Sequence, residues 1–147
     1  MAISILENEY VKCEFDDSLP VLKHRWLKEP SGEVFKSNLL GIKEEYIKLK
    51  KSHNNLAWMA DTVLLGELDE EVEAWLVNIW EDTIFNKAGV RIHAVILGAS
   101  IYADYPMEKF KIDAEEKHKL KNIFLGIFSN EKDAYLWITR KQKLLTT

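Results

Sequence analysis

The sequence predicts one α/β domain over residues 1–147, with a mixed sheet of about five strands and about four flanking helices. Three patterns predict it. Two short runs near the start alternate apolar and polar residues across a turn. Two continuous apolar runs, around 56–60 and 92–97, have strand length. Segments with apolar residues at helical spacing separate these runs. Strands that alternate with helices imply right-handed parallel crossovers, so a largely parallel sheet is expected behind an antiparallel hairpin.

The hairpin comes first. In Tyr10–Phe15, Val11, Cys13 and Phe15 point one way and Lys12 and Glu14 the other. In Val21–Leu27, Leu22, His24 and Trp26 oppose Val21, Lys23 and Arg25. Asp16-Asp17-Ser18-Leu19-Pro20 between them is rich in turn residues, so Val11–Phe15 should pair antiparallel with Val21–Leu27. Pro30-Ser31-Gly32 then breaks the strand and offers Ser31 as a helix N-cap. Phe35, Leu39, Ile42, Tyr46 and Leu49 recur at spacings of 4, 3, 4 and 3, one stripe of an amphipathic helix. Leu40 and Ile47 fall roughly opposite that stripe, a possible contact surface among lysines.

Leu56-Ala57-Trp58-Met59-Ala60 runs without alternation into Asp61, as a strand covered on both faces does. Asp69 caps a second helix, and Glu70 and Glu71 lie in its first turn, where the helix dipole favours anions. On an ideal wheel Val72, Leu76, Ile79 and Thr83 form the centre of its buried stripe. Trp75 and Trp80 fall on opposite shoulders, part-buried and part-exposed. Gly89 supplies a left-handed stop. Ile92–Leu97 is a second buried-strand run, and a less clear, helical stretch from Ser100 to about Leu120 is interrupted by Pro106. Ile123–Phe128 is the last strand. Ser129 or Asn130 caps a final helix through Ala134, Trp137 and Ile138. Trp58, Val95 and Leu125 are expected in interior strands.

Composition narrows the function by exclusion. With 47% apolar and 11% aromatic residues the chain can bury a core without staples. The single cysteine, Cys13, cannot form an internal disulfide, which fits a reducing, cytoplasmic setting. The start, MAISILENEY, lacks a basic region and reaches acid by Glu7, so no secretory signal is expected. No apolar run approaches the ~18 residues of a membrane span. A net charge of −4 argues against nucleic acid as partner. Between Ser52 and Asn86 stand Asp61, Glu67, Asp69, Glu70, Glu71, Glu73, Glu81 and Asp82 with no Lys or Arg, an acidic segment flanked by lysine-rich ones. It reads as a solvated face, or as a surface for a basic partner.

No catalytic, metal or cofactor constellation emerges. His24, His53, His93 and His118 are far apart, with no metal-ligand spacing and no second cysteine. His24 and His93 lie within strands and read as core or sheet-surface residues, and Cys13 as a small buried hydrophobe. Asp61, Asp69 and Glu70 could meet at the carboxyl end of the 57–61 strand, where open α/β sheets bind ligands. Capping and dipole compensation already explain Asp69 and Glu70. A phosphate at that helix start would meet the charges of Asp69, Glu70 and Glu71, with Gly66 the only glycine nearby.

Trp58-Met59-Ala60-Asp61, Asp69-Glu70-Glu71, Trp75 and Trp80, Gly89 before a buried strand, and the tail Phe128-Ser129-Asn130-Glu131-Lys132-Asp133-Ala134-Tyr135-Leu136-Trp137-Ile138 together form a pattern. It resembles small bacterial proteins classed as SpoIIAA-like, or STAS/Sec14-like, from about residue 5 to 138. The resemblance implies a non-enzymatic interaction or regulatory module. STAS domains of that kind are switched by phosphorylating a Ser at the start of the helix after this strand. Here no Ser lies between Ala60 and Trp75, and Thr62 is the only hydroxyl. An added phosphate would meet the acidic cluster, so no phosphoswitch is implied and Thr62→Glu is expected to leave folding and partner binding nearly unchanged. The Sec14 side implies lipid binding. Two functions therefore stand: a protein partner, with self-association foremost, or a small apolar ligand or lipid. Trp58, Asp61, Thr62, Trp75 and Trp80 are the candidate residues for either. A closed cavity above ~300 Å³ lined by Trp58, Trp75 or Trp80 would favour the ligand; filled space with exposed tryptophan edges would favour the partner.

Overall fold

A computed structural model of the chain describes residues 2–98 and 123–146. Six strands form one mixed sheet in sequential order: β1 (Ala2–Glu7), β2 (Val11–Asp16), β3 (Val21–Trp26), β4 (Ala57–Asp61), β5 (Ile92–Ile96) and β6 (Phe124–Phe128). The β1–β2 and β2–β3 pairs are antiparallel; the pairs from β3 through β6 are parallel. The expected hairpin is present, with Val11 opposite Trp26 and Asp16 opposite Val21.

The sheet has six strands rather than about five because β1 precedes the hairpin. It is an edge strand whose Ile3 stays exposed, and its register shifts between Ser4 and Leu6. Its turn is built by Asn8, whose Oδ1 accepts from the backbone N–H of Tyr10 and Val11 at 2.9 and 3.1 Å, an Asx-type turn. At the other side β6 is the edge of the described sheet, so Leu125 is buried on an edge strand, not an interior one.

Three helices occur among the described residues, where about four are expected. The stretch from 100 to 120, with Pro106 and His118, lies outside the described residues. Helix α1 (Gly32–Lys50) is capped by Ser31, whose Oγ accepts from Val34 N–H, and buries Phe35, Leu39, Ile42 and Tyr46. Ile47 also packs partly against the core, leaving Leu40 as the exposed one of the pair opposite the stripe. Helix α2 starts at Glu70–Trp75 under the Asp69 cap and continues through two π-helical turns, Leu76–Trp80 and Thr83–Lys87. Gly89 follows at φ 74°, the left-handed conformation that favours glycine. Helix α3 (Glu131–Thr146) begins after Asn130, whose Oδ1 accepts from Asp133 N–H; Asn130 rather than Ser129 is the cap.

The helices divide the sheet into two faces. The β3–α1–β4 and β4–α2–β5 crossovers step in the same direction, and α1 and α2 pack on the same face, as crossovers of one hand require. Helix α3 packs on the other. Because successive strand residues alternate, Trp58, Ala60 and Val95 join the α1/α2 side, and Ala57, Met59, Ile92, Ala94 and Ile96 the α3 side.

Candidate functional site

The α1/α2 face holds a half-open cleft. Its floor is His24 and Trp26 of β3, Trp58 and Ala60 of β4, and His93 and Val95 of β5. Phe35 and Leu39 of α1 and Leu76 and Trp80 of α2 wall it, and Thr62, Leu65 and Leu68 of the β4–α2 loop close one end. No charged residue lines it among the described residues. The cleft lies towards the carboxyl ends of the parallel strands, where open α/β sheets bind ligands.

Six aromatic rings around it form a closed circuit of contacts. His24 meets Trp26 edge-on at 5.9 Å, Trp26 stacks on Phe35 at 5.3 Å, and Phe35 meets Trp75 at 6.3 Å. Trp75 stacks on Trp80 at 5.5 Å, Trp80 meets Trp58 edge-on at 5.7 Å, and Trp58 returns to His24 at 5.8 Å. Centroids 4.5–7 Å apart are the favourable range, each pair adding ~0.5–1.5 kcal/mol beyond area burial. Five of the six rings line the cleft; Trp75 backs Trp80 from outside it.

Trp80 is 4% exposed and deep in the core, while Ile79 is 53% exposed. This reverses the expectation from an ideal wheel, which puts Ile79 at the centre and Trp80 on a shoulder. The π turns are the reason. With backbone bonds such as Glu81 N–H to Leu76 C=O spanning five residues, each residue advances through a smaller angle than in an α-helix. The buried row then runs Val72, Leu76, Trp80, Ile84, at steps of four. Trp75 is half-buried, as expected, with the Lys36 ammonium 5.8 Å from its ring.

Trp58, 1% exposed, organises the polar atoms of the cleft. Its indole Nε1–H donates to His24 Nδ1 at 2.8 Å, and its own backbone carbonyl accepts from His93 Nδ1 at 3.1 Å. An indole N–H can only donate, so His24 Nδ1 is bare; a carbonyl can only accept, so His93 Nδ1 carries a proton. Burial holds both rings neutral. It pushes His24 down to about 3, with help from the neighbouring His93, and His93 down to about 4 against the opposing effect of its bond to Trp58. A neutral imidazole has one proton. The two rings therefore are opposite tautomers: His24 has its proton on Nε2, and His93 Nε2 is a bare acceptor. Neither Nε2 has a hydrogen bond among the described residues, nor is either among the fully enclosed unpaired atoms, and both rings line the cleft.

The remaining candidates, Asp61 and Thr62, are held by hydrogen bonds to the neighbouring backbone and side chains. Asp61 is buried at the end of β4 with Oδ2 accepting from Arg25 Nε at 3.2 Å and Oδ1 from Val63 N–H at 3.1 Å. Arg25 also reaches Glu131, which holds Lys23. Asp69 Oδ1 accepts from Val72 N–H, and Glu70 is exposed. The structure does not bring Asp61, Asp69 and Glu70 together as an acid/base set. Thr62 is more constrained than its sequence neighbourhood suggests. Its Oγ1 donates to the Ile96 carbonyl at 2.7 Å, and its N–H to the same carbonyl at 2.9 Å. A glutamate there would lose the first bond and put charge on the apolar lining, so Thr62→Glu is expected to lower stability rather than leave it nearly unchanged.

The acidic segment is mostly a solvated face, with Glu67, Asp69, Glu70, Glu71 and Asp82 exposed, but Asp61 and Glu81 are buried. Cys13 is fully buried, and that burial raises its thiol to about 12, which makes it a packing residue. No group of three metal-ligating side chains occurs among the described residues, and no helix there is long and apolar enough to cross a membrane. No family model, no curated protein and no solved structure matches the chain.

Proposed function

We propose that the chain is a binding module, STAS/SpoIIAA-like and cytoplasmic, whose working site is the aromatic cleft and whose ligand is a small apolar molecule. The observation that carries this reading is the closed circuit of rings around an uncharged cleft at the carboxyl ends of parallel strands. An antiparallel start followed by parallel βα units is the strand arrangement expected on that reading. The size of the cleft narrows the ligand. Its cavity volume of about 50 Å³ holds a few waters, at about 10–15 Å³ each, close to the bulk of one benzene-sized ring. That is far below the ~300 Å³ closed cavity expected of a ligand pocket, so the expected large pocket is absent among the described residues, a lipid tail is too large, and only a single small ring fits. Imidazoles that resist protonation well below pH 7 are weak bases, which favours binding over acid/base chemistry.

Toluene, followed by tryptophan fluorescence, tests the reading. The wild type should show a saturable change. Ala60→Leu, which fills the floor of the cleft, should weaken it at least tenfold while leaving the chain folded. No saturation up to the solubility limit, or saturation indifferent to Ala60→Leu, contradicts the reading.

A protein partner is the second reading, favoured by exposed Ile79 beside half-buried Trp75 on the outer side of α2. It predicts that Ile79→Asp abolishes any self-association seen by sedimentation without lowering stability. A monomer at all concentrations removes the self-association form of this reading.

A further inference from the structure

Two ring nitrogens in the cleft are unaccounted for by packing: the His24 Nε2–H, a donor, and the His93 Nε2, an acceptor. Their residues are 2% and 5% exposed, so what access the nitrogens have is narrow. Neither nitrogen is fully enclosed, so water in the cleft reaches them, and a ligand that displaces this water has to replace its hydrogen bonds. The two residues line one apolar cleft and their Nε2 atoms have opposite hydrogen-bonding character, so a group that both accepts and donates is complementary to both.

We infer that the cleft selects phenols: a benzene-sized ring against the tryptophans, with a hydroxyl that accepts from His24 Nε2–H and donates to His93 Nε2. This rests on the reading of the cleft as a ligand site. The hydroxyl is the smallest group with both capacities, as the volume requires. The described lining side chains carry no charge and disfavour anions, because a carboxylate would be desolvated with no counter-charge among them. Sites built to hydrogen-bond a substrate hydroxyl reject the analogue lacking it, since the site's own polar atoms are then left bare.

The test titrates the wild-type protein with four probes: phenol, toluene, anisole and benzoate. Phenol should bind at least tenfold more tightly than toluene. Anisole, which accepts but cannot donate, should fall with toluene, and benzoate should not bind. His93→Leu should bring phenol to the level of toluene; if that variant does not fold, the wild-type panel decides alone. Equal, saturable binding of phenol and toluene, both weakened by Ala60→Leu, overturns hydroxyl selection and leaves the cleft as an apolar site. Preferential binding of benzoate overturns the selection of neutral ligands. Absence of saturation by phenol and toluene alike overturns the cleft reading and, with it, this inference.

Discussion

The two faces of the sheet are made from alternate residues of the same strands, yet they solve packing differently. On the α3 side, Val21, Ala57, Met59, Ile92, Ala94 and Ile96 meet Ala134 and Ile138. These side chains are small or aliphatic, carry no titratable group, and let the helix lie close. On the α1/α2 side the neighbours of those residues are Leu22, His24, Trp58, Ala60, His93 and Val95, beneath a second layer of rings from α1 and α2. Large flat rings in edge-on and stacked pairs leave gaps that aliphatic chains fill. Here the gap is a cleft, and its polar atoms are set by Trp58. Among the described residues one face is filled and the other leaves a cleft.

Acid should separate the two faces most sharply. Above about pH 6.5 both histidines are neutral in the folded and unfolded chain, so the stability they contribute is fully present. As pH falls below that value the unfolded chain takes up protons that the folded chain refuses until about 4 for His93 and about 3 for His24. Each ring then costs about 1.4 kcal/mol per pH unit, so two units of acidification remove on the order of 5 kcal/mol. That rivals the whole stability of an ordinary domain. Urea melts at pH 7, 5.5 and 4.5 should show the midpoint falling steadily, and a His93→Leu variant should halve the slope. A flat profile across this range would mean that the rings are not held neutral.

Within the aromatic face, Trp80 and Trp75 should differ. Truncating buried Trp80 to Ala should cost ~3–5 kcal/mol and abolish ligand binding. Trp75→Ala, at a half-buried ring behind it, should cost less than half as much and weaken binding only by loosening Trp80. Equal losses in chemical melts would return Trp80 to a shoulder position. The α3 face has its own sensitive point at Gly126. A Cβ there would sit 2.7 Å from the Phe128 ring and 3.1 Å from Trp137, so Gly126→Ala should destabilise by ~1–3 kcal/mol through overpacking. It should leave phenol and toluene affinity unchanged, because it lies across the sheet from the cleft. Smallest of all, Thr62→Val removes one hydroxyl donation to Ile96 C=O but leaves the Thr62 N–H on that carbonyl. A loss of about 1 kcal/mol or less is expected by thermal melt.

Much of the fold is readable from residue order, and the reasons are local. Asp16–Pro20 announces a hairpin turn, Ser31 and Asp69 announce helix starts, and the β4 and β5 runs are apolar on both faces because helices cover both. β1 is hidden because only Ile5 and Leu6 are partly buried, giving weak alternation; Asn8 was its one clear signal. The site is less legible. Trp58 is identifiable as a buried aromatic, but its bonds to His24 and His93 depend on registers, His24 beside Ala60 and Trp58 beside His93, that no single strand encodes. The inward turn of Trp80 depends on π turns, which a 3.6-residue period cannot reveal. A histidine in phase with a strand's buried face, as His24 is with Leu22 and Trp26, was the available hint.

The central claim is that Trp58 fixes two neutral imidazoles in opposite tautomers facing one cleft. Long-range proton–nitrogen correlation spectra of the uniformly nitrogen-15-labelled protein at pH 6.5 read this directly. The account predicts one buried histidine protonated only at Nε2, which is His24, and one protonated only at Nδ1, which is His93, both unchanged down to pH 5. Two rings of the same tautomer, or either ring protonated at both nitrogens in that range, would contradict it.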